Sequence, residues 1–210
     1  TASRAGVHVE GVDLTPELIS RANENAKIMG LKANFIEGDA EFLPYEDQKF
    51  DVVVSQYGHM FPPRPEVVTN ELARVLKPGG TLAFSTWPKE LFMGKFFKLI
   101  EDFSPPLPSE VASPVLWGDM TIIERRLDNK FEKIEFGRDT MYAPTMSPAH
   151  MLKLFEKNAG PLANLVKALA DEPAKLAKLR NSAVDLIEKF FSNNFLKQDF
   201  LMTRCIKKSS

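Results

Sequence analysis

The chain has 210 residues, of which 44% are hydrophobic and 26% charged, the balance of a soluble globular domain and not of a disordered or fibrous chain. Its formal net charge of −1 provides no global basic field to draw nucleic acid or anionic lipid. The single cysteine, Cys205, excludes an internal disulfide and a cysteine-based zinc cluster, and reads as a small buried apolar residue in a strand.

The length suits one domain, or one domain with an insertion. Low cysteine usage suits a reducing compartment, and a cytoplasmic location is expected. The longest apolar runs, such as "DVVVSQ", are too short to span a bilayer, and no membrane association is expected.

Residues 7–13, "VHVEGVD", read as a strand. "LTPELISRANENAKIMG" follows as a helix, with Thr15 as N-cap, Pro16 at the first helical position and Gly30 as the stop. Residues 33–40 form a second strand with a turn, and "FDVVVSQYG" (50–58) a third, apolar enough to be covered on both faces. Residues 64–80 read as a helix stopped by Pro78, Gly79 and Gly80, and "TLAFSTW" (81–87) as a fourth strand. This alternation argues for an α/β fold with a parallel sheet.

The second half is predominantly helical. Residues 89–103 are amphipathic, 104–119 read as a proline-rich irregular loop, 120–127 as a short helix and 131–143 as a strand. Helices over 147–158, 161–170 and 173–191 open at Ser147-Pro148, Pro161 and Pro173, and 198–208 closes the chain as a strand. The late helices form an inserted lid and not a separate domain. The division is a cofactor-binding core over 1–88, a lid and substrate-side region over 89–195, and a closing strand over 196–208.

In an open parallel sheet, ligands bind outside the carboxyl ends of the strands. Asp13 stands at such an end. Its carboxylate can accept two hydrogen bonds from ribose hydroxyls, or can serve the helix entry beside it. Asp39 ends the next strand and can take an adenine amino group, or can be a turn aspartate. Two acids ending adjacent strands could together grip one adenosine.

"GVDLTPELI", "FIEGDAEFLPYEDQKFDVVVSQYGHMF" and "ELARVLKPGGTLAFSTW" resemble class I S-adenosylmethionine-dependent methyltransferases of the small type 11, UbiE-like group. The resemblance implies a Rossmann-like, three-layer α/β/α sheet of seven strands with a reversed last strand. "QDFLMTRCIKK" is the candidate for that strand, after a C-terminal helical insertion. It also implies S-adenosylmethionine as cofactor, with Asp13 on the ribose, Leu14 against the adenine, Asp39 and Ala40 in the adenine pocket and Gln56 near the methionine end. The family's first strand and glycine-rich loop belong upstream of Thr1 and are absent from this sequence. The expectation is therefore a piece of a longer chain, with the strands flanking the missing one left unpaired.

The aromatic residues Tyr57, Phe61 and Trp87 follow strand ends and could face a sulfonium, or could be core. His59 is the candidate general base, against a loop histidine that caps or packs. Phe92, Phe96, Trp117, Met141, Tyr142, Met151 and Phe155 could line an acceptor pocket, with lid-to-core packing the preferred role for most. No metal-binding spacing is evident. The expected activity is methyl transfer to a small-molecule acceptor. A non-catalytic binding or assembly protein of the same fold and a nicotinamide-dependent oxidoreductase are the rival readings.

Overall fold

The computed structural model describes residues 6–106, 108 and 111–209; residues 107, 109 and 110 of the expected loop lie outside it. The first half runs β1 (Val9–Asp13), α1 (Pro16–Ile28), β2 (Ala33–Glu37), β3 (Phe50–Gln56), α2 (Pro65–Val75) and β4 (Leu76–Thr86). The second half runs α3 (Phe92–Phe103), α4 (Met120–Leu127), β5 (Phe131–Pro144), α5 (Pro148–Asn158), α6 (Gly160–Ala168), α7 (Pro173–Glu188), β6 (Phe191–Ser192) and β7 (Phe195–Lys207).

The sheet is divided. β1 and β2 pair in parallel, with Asp13 opposite Glu37. A second sheet has the order β3-β4-β7-β5, and β6 pairs with β7. β3 and β4 are parallel, and β7 runs antiparallel to both β4 and β5. The reversed last strand is therefore as expected. Among the described residues no strand lies between β1 and β3. The division into two sheets agrees with the expectation of unpaired flanking strands.

Three local expectations are corrected. β3 is not covered on both faces: Val52 and Val54 are 56% and 75% exposed. α2 stops at Val75, and "LKPGG" belongs to β4, with Leu76 paired to Phe50. The reason is local, because Pro78 disfavours helical backbone at Lys77 and Gly79 adopts φ +75°. Thr15 occupies the N-cap position of α1 but makes no side-chain cap. The Asp13 carboxylate instead accepts the Thr15 N–H at 2.9 Å.

Two cores hold the fold. In the first, Val68 and Leu72 of α2, Ile123 and Leu127 of α4, Leu82 and Phe84 of β4, and Leu201 and Cys205 of β7 pack together with Trp117. Each such fully buried large side chain contributes roughly 1.5–3 kcal/mol of transfer free energy. α4 is held at its start by Asp119, whose carboxylate accepts from the Thr121 and Ile122 N–H groups. In the second core, Phe92, Phe96 and Ile100 of α3 pack on Met151, Leu162, Leu165, Leu179, Ala183 and Ile187 of α5, α6 and α7. The helical insertion thus docks through α3. Trp117 belongs to the first core although its segment reads as an irregular loop; it sits in a short 3-10 turn, Pro114–Gly118.

The residues considered as acceptor lining mostly pack. Phe92, Phe96, Met151 and Trp117 are buried, and Phe155 lies 5.0 Å from the Phe96 ring. Met141 and Tyr142 are instead exposed on β5.

Candidate functional site

The carboxyl ends of β1, β2 and β3 carry the sequence-derived site residues. The register of β1 with β2 brings Asp13 beside Glu37, and the Gly38 N–H donates to the Asp13 carbonyl at 3.0 Å. Asp39 follows one residue later, so the two acids share one end of the small sheet. Both are exposed. Each also has a local task. Asp13 orders the entry to α1, and Asp39 Oδ1 accepts the Glu41 N–H at 2.8 Å in a tight turn. Leu14 is 69% exposed and Phe42 is 80% exposed, so an apolar side chain stands open beside each carboxylate. Ala40 is half-buried.

At the end of β3, Gln56 is exposed and pairs in register with Ser85 of β4. Tyr57 turns the chain with φ 67°, a left-handed conformation that a bulky residue adopts at a cost. Its ring stacks on buried Trp87 at 4.0 Å with an interplanar angle of 12°. Phe61 is 47% exposed and meets Phe97 at 5.9 Å.

His59 lies in the short 3-10 turn Gly58–Met60 and is 2% exposed. Its Nδ1 is 3.0 Å from Ser55 Oγ, and its backbone N–H donates to the same oxygen. The ring sits 4.5 Å from Phe84 and 4.7 Å from Trp117. Burial, with the Arg126 charge adding to it, pushes the imidazole pKa down to about 3. Arg126 itself lies over the Trp117 ring at 4.4 Å. Such an imidazole is neutral at physiological pH and screened from solvent.

The other titratable candidates stand apart. The Cys205 thiol is free and buried, and desolvation pushes its pKa up to about 12. His150 is engaged with Thr145 Oγ1 at 2.9 Å, and His8 with Glu10 at 3.3 Å. Among the described residues, no group of three or more His, Cys, Asp or Glu side chains is placed to hold a metal ion. Among the same residues, no helix is long and apolar enough to cross a membrane.

Comparison with known proteins fixes the family. A model described as "Methyltransferase domain" matches residues 1–84. A Mycobacterium tuberculosis protein named only as uncharacterised is 31% identical over 202 residues, covering 96% of this chain and 74% of that one. The chain belongs to the class I S-adenosylmethionine-dependent methyltransferases. A demethylmenaquinone methyltransferase of Thermus thermophilus is 37% identical over 83 residues, covering 40% of this chain and 38% of its own length. The fold is shared with the YcgJ protein from Bacillus subtilis, with a TM-score of 0.58 at 19% identity, covering 96% of this chain and 82% of that one. It is shared also with an S-adenosylmethionine-dependent methyltransferase from Thermotoga maritima, with a TM-score of 0.52 at 17% identity, covering 99% and 76%. The architecture is thus that of a Rossmann-like methyltransferase, and the expected cofactor of this enzyme is S-adenosylmethionine.

Several residues at these strand ends were not legible in the sequence. Glu41 is 8% exposed and grips Arg64 through both carboxylate oxygens. Ser55 ties down His59, and Phe42 stands exposed beside Asp39 and Ala40. Of these only Glu41, an acid immediately after "GDA", carried any local hint; its partner is 23 residues away.

Proposed function

We propose that this methyltransferase transfers its methyl group to a small, partly apolar acceptor, with the adenosine of the cofactor held at the ends of β1 and β2. One observation carries the reading: two exposed carboxylates, Asp13 at the end of β1 and Asp39 two residues beyond the end of β2, stand at one end of the paired strands, and each has an exposed apolar neighbour, Leu14 or Phe42. Carboxylates suit ribose hydroxyls and an adenine amino group, and open apolar side chains suit the faces of a base. The residues present therefore fit the adenosine half chemically. Ala40 would line the base. Gln56 and Tyr57 would face the methionine half.

S-adenosylmethionine supplies a methyl group already activated on a sulfonium. What remains for the protein is alignment and the exclusion of water. The Tyr57–Trp87 stack offers a rigid aromatic surface at the end of β3, of the kind that favours a nearby cation. Phe61 and Phe97 offer an apolar surface for an acceptor next to it. His59 is given a packing role in this reading. A ring neutral down to about pH 3 and 2% exposed is poorly suited to collecting a proton from an acceptor.

The test is calorimetric titration of the full chain with S-adenosylhomocysteine, followed by a screen of small phenols, amines and thiols with methyl-labelled S-adenosylmethionine. Micromolar binding and label transfer to a small acceptor support the reading. Binding without transfer to any small acceptor, but with transfer to a polypeptide or a nucleic acid, overturns the acceptor class. No binding at all removes the adenosine site proposed at the ends of β1 and β2.

A further inference from the structure

The split sheet raises a mechanical question. The adenosine-side residues stand at the carboxyl ends of β1 and β2, the methionine-side residues at the end of β3, and among the described residues no strand ladder joins the two. The loop from Asp39 to Gln48 is instead strapped to α2, the helix that follows the β3 exit. Glu71 accepts the Leu43 N–H at 2.8 Å. Arg74 donates to the Leu43 and Tyr45 carbonyls and to Asp47, and its own carbonyl accepts the Gln48 N–H.

The strap nearest the site is Glu41. Its Oε1 accepts the Arg64 backbone N–H at 2.7 Å, and its Oε2 accepts from Arg64 Nε at 2.8 Å and from Nη2. These charge-assisted bonds hold the Glu41 carboxyl below its usual pKa. Arg64 occupies the N-cap position of α2 and closes the 57–64 segment that begins with the Tyr57 turn. On its other side, the Glu41 N–H is the donor that fixes the Asp39 carboxylate. The Arg64 charge also lies within electrostatic reach of Asp39.

We propose that Glu41 is a positioning residue of the cofactor site: by clamping Arg64 it fixes the Asp39–Ala40 turn against the β3 exit, and so sets the distance between the two halves of the cofactor cradle. The proposal rests on the adenine role given to Asp39 above. Glu41 touches no cofactor itself. It acts through Asp39, which makes the two residues thermodynamically coupled.

The experiment is a double-mutant cycle on the full chain, with S-adenosylhomocysteine affinity and thermal midpoint both measured for wild type, Asp39→Asn, Glu41→Gln and the double variant. Each single substitution is expected to weaken binding by about tenfold, the loss typical of one charge-assisted contact. The double variant should be no more than about twofold weaker than Asp39→Asn alone. The fall in midpoint caused by Glu41→Gln should be the same in both backgrounds, because that part is structural. Wild-type affinity in Glu41→Gln, or strictly additive losses in affinity, would overturn the proposal. Unchanged affinity in Asp39→Asn would remove the adenine role of Asp39, and failure of wild type to bind would remove the cofactor site itself; each takes this proposal down with it. Arg64→Lys, at a largely exposed side chain, serves as the second variant if Glu41→Gln does not fold. It should weaken binding in the same direction, and wild-type affinity there would equally overturn the proposal.

Discussion

The Tyr57 ring lies face to face with the Trp87 ring, 4.0 Å away and 12° from parallel. This contact joins the exits of two neighbouring strands, β3 and β4, and offsets a backbone conformation, φ 67° at Tyr57, that a tyrosine would not adopt unaided. The Tyr57 N–H reinforces it by donating to the Ser85 carbonyl at 3.3 Å. Tyr57→Ala keeps the unfavourable backbone and loses the stack, so it should cost about 2 kcal/mol of stability. Tyr57→Phe should remain close to wild type. Urea denaturation of both variants checks this, and equal stabilities would show that the stack contributes nothing.

His59 makes stability depend on pH in a definite direction. Its folded pKa, about 3, lies below the ordinary value of 6.5. Between those values the unfolded chain binds the extra proton, so stability is fully present above pH 6.5 and is lost as pH falls towards 3. The slope is at most about 1.4 kcal/mol per pH unit. Wild type should therefore lose about 2 kcal/mol more than His59→Gln between pH 7.5 and 5.0, measured by denaturant titration at each pH. Parallel pH profiles for the two proteins would mean that His59 is accessible and titrates normally.

Gly118 and Gly94 clamp the bend after β4. A Cβ at Gly118 would stand 2.4 Å from Pro88 Cα and 2.5 Å from the Trp87 carbonyl oxygen, and a Cβ at Gly94 would stand 2.1 Å from the Pro88 carbonyl oxygen. Backbone cannot yield as a side chain can. Gly118→Ala should destabilise the fold by about 1–3 kcal/mol and displace the Trp87 ring, visible as a shifted tryptophan emission spectrum. Gly137→Ala, where nothing lies within 4 Å of the added carbon, is the matched control.

Asp13 has two tasks that two substitutions separate. Asp13→Asn retains an oxygen for the Thr15 N–H but loses the charge proposed for the ribose. It should weaken S-adenosylhomocysteine binding about tenfold and leave the thermal midpoint nearly unchanged. Asp13→Ala should lose the same affinity and in addition about 1 kcal/mol of stability from the helix entry. If Asp13→Asn binds as tightly as wild type, the carboxylate serves the helix alone.

Elements governed by local periodicity were readable in advance. α4 occupies Met120–Leu127 as its apolar spacing and the preceding Asp119 require, and α5 begins after Ser147, whose Oγ accepts the His150 N–H. The strand-end acids Asp13 and Asp39 were readable for the same reason, since each follows a short apolar strand, with a helix start after Asp13 and a turn after Asp39. What escaped was whatever depends on distant partners. Trp117 looked like a loop residue, and only the approach of β4 and α4 buries it with Phe84 and Ile123. "LKPGG" looked like a helix stop, and only pairing of Leu76 with Phe50 makes it strand.

The sequence by itself determined the α/β order, the family, and which strand ends carry the candidate cofactor residues, because hydrophobic period, turn residues and strand-end acids are written within a few positions of one another. The tertiary structure alone decided what each side chain is free to do. It placed His59 between Phe84 and Trp117, 58 positions apart from the latter, where burial removes its charge. It left Val52 and Val54 open on one face of β3. And it joined Glu41 to Arg64 across 23 residues, a bond whose existence depends on how α2 lies against the loop after β2, which no local pattern encodes.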